Sequence, residues 1–463
     1  MTRTTLIRGG TLITPEGELR GDLLVVDEQI AAIGPDLSSD SADRVLDASG
    51  CVVLPGLVDP HTHIQLDTGI YRTPDDWEAG TRTAACGGVT SVIDFATQFP
   101  GQDVRTALEA RLAEVGNLAQ IDFGLHMMLT ALPADAELDR WMSDLIAAGV
   151  TSVKVYTTYR PNYYEDDAAL LRVFRAAARR GVLVMIHCEN DALVTAATAD
   201  LVKTGRTMLS DHGRARPALA EVEAAHRALF LARDADCPLY VVHCSVSGTV
   251  DQVTSARAWG QHAIAESTPQ YLLLDETVYT GEHPETGIMQ PPLRAPEEKG
   301  RLWAQVASGA ISTIGTDHCD YSIAQKQLSP KFTETAGGIP GLETMLPLLA
   351  TYGVAQGRIT WGRLAEVTST GPARIFGLAR KGVLVPGYDA DVVVYDPSVR
   401  GRIRAGAMHN LAGYTPYEGW EVAGAVRTTF SRGRLLVNDG EFVPAPGWGQ
   451  FCPGVSLPIA ARP

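Results

Sequence analysis

The sequence predicts an α/β fold: a (β/α)8 TIM-like barrel carrying a small β-sandwich domain made from both chain ends. Three observations predict it. Short apolar runs alternate with helix-like segments through the middle of the chain. The two ends share a different texture, of short strands separated by turns. Polar residues of similar chemistry close several of the central apolar runs, always at their C-terminal ends.

The apolar runs lie near residues 52–59, 89–96, 121–129, 150–157, 183–188, 239–244, 262–267 and 311–316. "DVRTALEARLAEVGNL" and "DAALLRVFRAAARRG" between them are amphipathic at helical spacing, and the second closes on a glycine. The acidic "YEDDAALL" suits the start of that helix, where negative charge meets the positive end of the dipole. A doubly wound open sheet has the same local signature. The position of the polar residues favours the barrel, because only there do all C-terminal strand ends converge on one face.

The ends read differently. "TLIRGGTLIT", "GDLLVVDEQIAAIG" and "RVLDASGCVV" are strand-and-turn text, and the texture returns in "GVLVPGYDADVVVYD" and "AGAVRTTFSRGRLLVNDGEFV". The expected division is residues 1–53 and 383–440 for the small β domain and 54–382 for the barrel. The tail, 441–463, is rich in Pro and Gly and is expected to wrap a neighbour or the surface.

Composition excludes several classes. The chain has 463 residues, 45% apolar and 20% charged, an ordinary globular balance. A formal charge of −15 and no Lys/Arg run argue against nucleic acid and anionic membrane as partners. The N-terminus lacks the apolar core of a secretory signal, and no stretch is long and apolar enough to span a membrane. The seven cysteines form no CxxC pair and read as reduced thiols in a cytoplasmic protein.

The candidate chemistry sits at the strand ends. "PGLVDPHTHIQLD" places His61 and His63 two residues apart, on one face of an extended chain. "VLVMIHCEN" ends in His187, "LYVVHCS" in His243 and "ISTIGTDHC" in Asp317. "GVTSVKVYTTY" sets Lys154 inside a strand of Val150, Val153 and Val155, where an unpaired charge would lose several kcal/mol of hydration. Burial favours the neutral amine, which can add to CO2 and become a carbamate, an anionic ligand with two oxygens. His61, His63 and Asp317 would then hold one metal, His187 and His243 a second, and Lys154 would bridge them. His126 is expected to pack rather than ligate, and His318 to point away from Asp317.

The words "DPHTHIQLD", "GTRTAACGGVTSVIDFA", "VKVYTTY", "HCEN", "PLYVVHCS", "ESTPQYLLLDE", "PPLR", "GTDHCDYS" and "PYEGWEVAG" resemble the dihydropyrimidinase and hydantoinase family of the amidohydrolase superfamily. The resemblance spans nearly the whole chain. It implies two divalent metal ions, usually zinc, a carboxylated Lys154 and hydrolytic opening of a cyclic amide by a hydroxide shared between the metals. It further implies Asp317 as general base then acid, and Tyr159 as a hydrogen-bond donor to the reacting carbonyl. Gln290 and Gly337 fall where the family holds the cyclic imide, but relatives usually carry Ser and Asn there. A homotetramer or homodimer is implied as well.

Neighbouring activities are weighed by single residues. Dihydroorotases usually carry Arg where this chain has Gln65. "HCEN" and "GGI" keep allantoinase open. Non-catalytic scaffolds of the family, the collapsin response mediator proteins, have lost metal ligands, whereas this chain keeps all six positions. Asn190 and Arg294 are read as loop supports.

Overall fold

The first strand, Thr4–Thr14, shapes the chain-end domain. Its register with Gly17–Val26 slips between Ile7 and Gly10. Gly9 stands at φ +74°, and a Cβ on Gly10 would meet Val53 at 2.6 Å, so the kink needs both glycines. Before the kink the strand pairs with Arg44–Asp47; after it, with Val52–Pro55. Changing partners at a bend is how a strand turns the corner of a sandwich-like sheet. Gln29–Gly34 pairs with Gly17–Val26 at one edge, and Val392–Arg402, Glu421–Ser431, Arg434–Asn438 and Glu441–Phe442 extend the network beyond Val52–Pro55, giving nine strands in one mixed sheet. Leu23, Val25, Val53, Val392 and Phe430 fill its core. This computed structural model describes residues 3–39 and 42–456.

The chain leaves that sheet at Gly56, where a Cβ would lie 2.1 Å from Thr90 Oγ1. The barrel strands follow in order: Leu57–Asp59, Val89–Gln98, Asp122–Leu129, Ser152–Tyr156, Leu183–His187, Leu239–Val241, Ala263–Ser267 and Thr313–Ile314. They form one eight-stranded sheet of sequential neighbours, every pair parallel. The ring closes through a bridge between Thr62 and His318, with the His63 N–H donating to the His318 carbonyl at 2.8 Å. The strands are buried along almost their whole length, as covered parallel strands must be.

Alternation sorts their side chains. Val153 and Val155 join the main core between strands and helices. Lys154 therefore points inward, among a separate cluster of Val58, Phe95, Met128, Met185 and Tyr240. The two helices read from the sequence run Val104–Val115 and Asp167–Arg180; Asp103 and Asp166 cap their N-termini, and Gly181 ends the second at φ +67°.

Phe376 and Leu378 close the barrel floor from inside. The tail straps across that floor. Gln450 O accepts from Phe123 N at 3.0 Å, Cys452 N donates to Phe123 O at 2.7 Å, and Gly454 N donates to Gly149 O at 2.8 Å. The described part of the tail thus seals its own barrel; residues 457–463 lie outside the described residues. All seven cysteines are free. Among the described residues no helix is long and apolar enough to cross a membrane.

Candidate metal centre

Six candidate ligands arrive at the C-terminal mouth from five strand ends. Asp317 Oδ1 lies 3.3 Å from His61 Nε2 and 3.2 Å from His63 Nε2. Lys154 Nζ is 2.7 Å from the same His61 Nε2. His187 Nδ1 and His243 Nε2 are 2.9 Å apart. The rings of His61 and His243 stack at 5.5 Å between centroids, which brings the two groups together. Asp317 and His243 both adopt left-handed backbone, φ +50° and +38°. Such conformations cost about 1–3 kcal/mol each away from glycine and cluster where function requires an aimed side chain.

The protonation states suit metal ligation. Burial, then the neighbouring lysine, holds His61 well below the ordinary histidine range. Burial, then His187, does the same to His243. Burial alone would raise Asp317, but His61 and His63 pull it below the usual carboxylate range. Burial pulls Lys154 down to about 8, so a neutral amine is accessible near neutral pH. Neutral imidazoles and an ionised carboxylate are the forms a cation binds. His63 Nδ1 and His243 Nδ1 are buried with no hydrogen-bond partner.

Two buried glutamates brace these rings, and the sequence pattern assigns neither. Glu189 Oε2 lies 2.7 Å from His187 Nε2, and Arg216 Nε donates to Glu189 Oε1 at 2.9 Å. His187 Nε2–H is thereby engaged, leaving Nδ1 toward the centre. Burial would raise Glu189, yet Arg216 and His187 together hold it below its ordinary value. Glu266 Oε1 lies 2.8 Å from His61 Nδ1. Both glutamates stand in family words, "HCEN" and "ESTPQ". A glutamate ending an apolar run was the available signal.

Asp75, His318 and Asp320 form a second buried group of metal-type side chains. His318 points away from Asp317, as expected. Its Nδ1 accepts the Gly341 N–H at 3.1 Å, so its proton resides on Nε2. That Nε2–H faces Asp75 Oδ2 at 3.5 Å and Asp320 Oδ1 at 3.6 Å. Binding a metal through Nε2 would demand an imidazolate. The group is an electrostatic brace between the loop after strand one and strand eight, joined by the Asp75 N–H donating to Asp320 Oδ2 at 3.1 Å. His126 also packs, with Nε2 2.9 Å from Pro60 O and Nδ1 2.5 Å from Ser152 Oγ.

Tyr159 stands at φ +74° with its ring 5.0 Å from that of His187 and the Arg216 guanidinium 5.0 Å from its centroid. Its hydroxyl makes no hydrogen bond to another described residue, and burial keeps it protonated. Gln290 and Gly337 touch. A Cβ on Gly337 would fall 1.9 Å from Gln290 Oε1, so the glycine makes room for the glutamine amide. That half-buried amide has no hydrogen-bond partner among the described residues. Lys326 fixes both loops, donating to Ile288 O at 2.6 Å, Ala336 O at 2.9 Å and Gly338 O at 2.8 Å.

Gln65 lies beside His63 on the wall of a cavity of about 390 Å³ shared with Phe95, Phe99 and Arg111. Asn190 caps the next helix, accepting from Leu193 N at 3.1 Å. Arg294 donates to Ser245 Oγ at 2.8 Å and Glu221 Oε2 at 3.0 Å, inside the supporting structure.

Neutral imidazoles, one carboxylate and an uncharged-prone lysine at the mouth of a parallel barrel define a class, the metal-dependent barrel enzymes. The family model described as "Amidohydrolase family" matches residues 52–436. A D-phenylhydantoinase of Escherichia coli O81 (strain ED1a) is 39% identical over 451 residues, covering 96% of this chain and 97% of that one. The crystal structure of dihydropyrimidinase from Brevibacillus agri NCHU1002 superposes with a TM-score of 0.95 at 34% identity, covering 99% of this chain and 100% of that one. An L-hydantoinase (dihydropyrimidinase) from Arthrobacter aurescens gives 0.89 at 31% identity, covering 97% and 99%. The chain belongs to the amidohydrolase family, in the branch of the hydantoinases and dihydropyrimidinases.

Proposed function

We propose that this protein hydrolyses the ring amide of a hydantoin or dihydropyrimidine, as in dihydrouracil to N-carbamoyl-β-alanine. The observation that carries the reading is the meeting of His61, His63, Lys154, His187, His243 and Asp317 at one barrel mouth in a chain of this family. His61, His63 and Asp317 would hold one divalent ion and His187 and His243 another, with Lys154, as its carbamate, shared between them. Zinc is the ion the family resemblance favours. Bound there, the ions supply an acidified water and polarise the substrate carbonyl.

The chain's own residues divide the remaining work. Asp317 accepts the proton of the attacking water on a carboxylate oxygen and returns it to the ring nitrogen as the C–N bond breaks. Tyr159 donates its free hydroxyl to the carbonyl oxygen as negative charge grows there. Gln290 and the backbone beside Gly337 receive the imide edge: a primary amide presents an N–H donor and a carbonyl acceptor side by side, the complement of a ring –NH–CO– unit. We place the enzyme in the cytoplasm, on its free thiols, and as a homodimer or homotetramer, on the family resemblance.

Initial rates on dihydrouracil, both enantiomers of a 5-substituted hydantoin, allantoin and dihydroorotate, with metal content measured on the same sample, test this reading. The expected result is preference for dihydrouracil or a hydantoin with two metal ions per chain. Preference for dihydroorotate or allantoin would replace the substrate class, and a pure chain that takes up no metal would replace the enzyme with a scaffold.

A further inference from the structure

Strand seven, Ala263–Ser267, supplies none of the six candidate ligands. It supplies Glu266, whose side chain is fully buried. Glu266 Oε1 is 2.8 Å from His61 Nδ1 and accepts the backbone N–H of His243 at 2.9 Å. These two histidines belong to opposite halves of the proposed centre. Glu266 Oε2 accepts the Tyr240 hydroxyl at 2.7 Å, and that hydroxyl is also 2.7 Å from Thr313 Oγ1.

One oxygen thus serves both halves. Toward His61 it takes the Nδ1 proton, which leaves the lone pair on Nε2, the nitrogen that meets Lys154 and Asp317. Toward His243 it holds the N–H of a residue in left-handed backbone, φ +38°. That turn sets the direction of the His243 ring.

Lys154, on the far side of His61, acts on Glu266 only from a distance. No Lys or Arg pairs with Glu266 among the described residues, and Asp59 is close by. A Cβ on Gly315 would lie 3.3 Å from both Glu266 Oε2 and Asp59 Oδ1 and 3.1 Å from His61 Cβ. Two carboxylates in a dry core are costly unless positive charge lies near. That charge comes from the far side of His61, where Lys154 lies 2.7 Å from Nε2.

We infer that Glu266 is a positioning residue that couples the two metal half-sites, so that both ions are held or lost together. The inference rests on the metal-dependent reading above. It predicts a pattern that a carboxylate bracing only His61 would not give.

The test is chelator competition on the full-length holoenzyme, following both ions. Glu266→Leu removes the shared acceptor, and the affinity for both ions should fall in parallel, by about 10–100-fold. Glu266→Gln keeps an acceptor oxygen but no charge. Its metal-free form should unfold at the wild-type urea midpoint, while its loss of affinity, again for both ions, should sit at the lower end of that range. Loss confined to the ion held by His61, or wild-type affinity for both in Glu266→Gln and Glu266→Leu alike, would overturn the coupling. A wild-type chain that binds no ion would remove the metal reading itself, a separate result.

Discussion

Lys154 at the barrel mouth and Lys381 at its floor are 2% and 6% exposed, yet burial leaves them in opposite states. Lys381 Nζ lies 2.5 Å from Asp122, 2.9 Å from Asp391 and 3.1 Å from Asp389. Burial would lower it, but those carboxylates hold it above the ordinary lysine range. Lys154 pairs with no carboxylate within ion-pair distance among the described residues. Its neighbours are His61 Nε2 at 2.7 Å and the Phe95 ring at 4.6 Å. Burial sets the cost of the charge; the partners decide whether the residue keeps it. At the floor the result is a fixed structural cation, tying the barrel to the chain-end sheet. At the mouth it is an amine free to react.

Exchanging each lysine for methionine should separate the two roles. Lys154→Met should abolish turnover to the assay background and remove the shared metal ligand, read by steady-state kinetics and metal analysis. The urea unfolding of its metal-free form should match or exceed that of the metal-free wild type, because a desolvated amine has been replaced by an apolar chain. A large stability loss in metal-free Lys154→Met would break the comparison.

Lys381→Met should do the reverse: about 3–5 kcal/mol less stable, with metal content intact. A lysine whose folded value lies above its unfolded one adds stability that is complete below about pH 10 and fades only as pH climbs through the folded value. The gap between wild type and Lys381→Met should therefore stay level from about pH 6 to 10. A gap that closes within that window would show that the carboxylates do not hold the charge.

Two smaller effects sharpen the contrast at the mouth. Tyr159→Phe should lower turnover about 10²–10³-fold with little change in stability, since only a free hydroxyl is removed. Unchanged turnover would make Tyr159 a wall of the pocket. Gly337→Ala pushes only the flexible end of Gln290 aside. It should raise KM a few-fold, as Gln290→Ala should, and the double variant should be no worse than either single one. Additive losses would show that the amide and the glycine act separately.

Much of this was legible before folding. Each of the eight apolar runs overlaps a barrel strand, because two buried faces demand unbroken apolar text. The ligand candidates were legible because four of the eight runs end on His or Asp, whereas a single such histidine more often packs, as His126 does. Glu266 was not assigned, although its residue type and place were visible. Its partner His61 lies 205 residues away, and no local pattern records that distance. For the tail, composition predicts only a wrap on a neighbour or the surface. Its pairing with Phe123 and Gly149 depends on edges that exist once the barrel has closed.

Local pattern alone was enough for the strands, their inward faces and the identity of the six side chains at the mouth, since alternation and apolar period are properties of neighbouring residues. The chemistry of the buried lysines was decided elsewhere. Lys154, Lys326 and Lys381 are the same residue in one dimension. Folding gives them, in turn, an imidazole, three carbonyls and three carboxylates. Charge in a dry core is governed by what lies within a few ångströms in space, and only the closed barrel brings those groups that near.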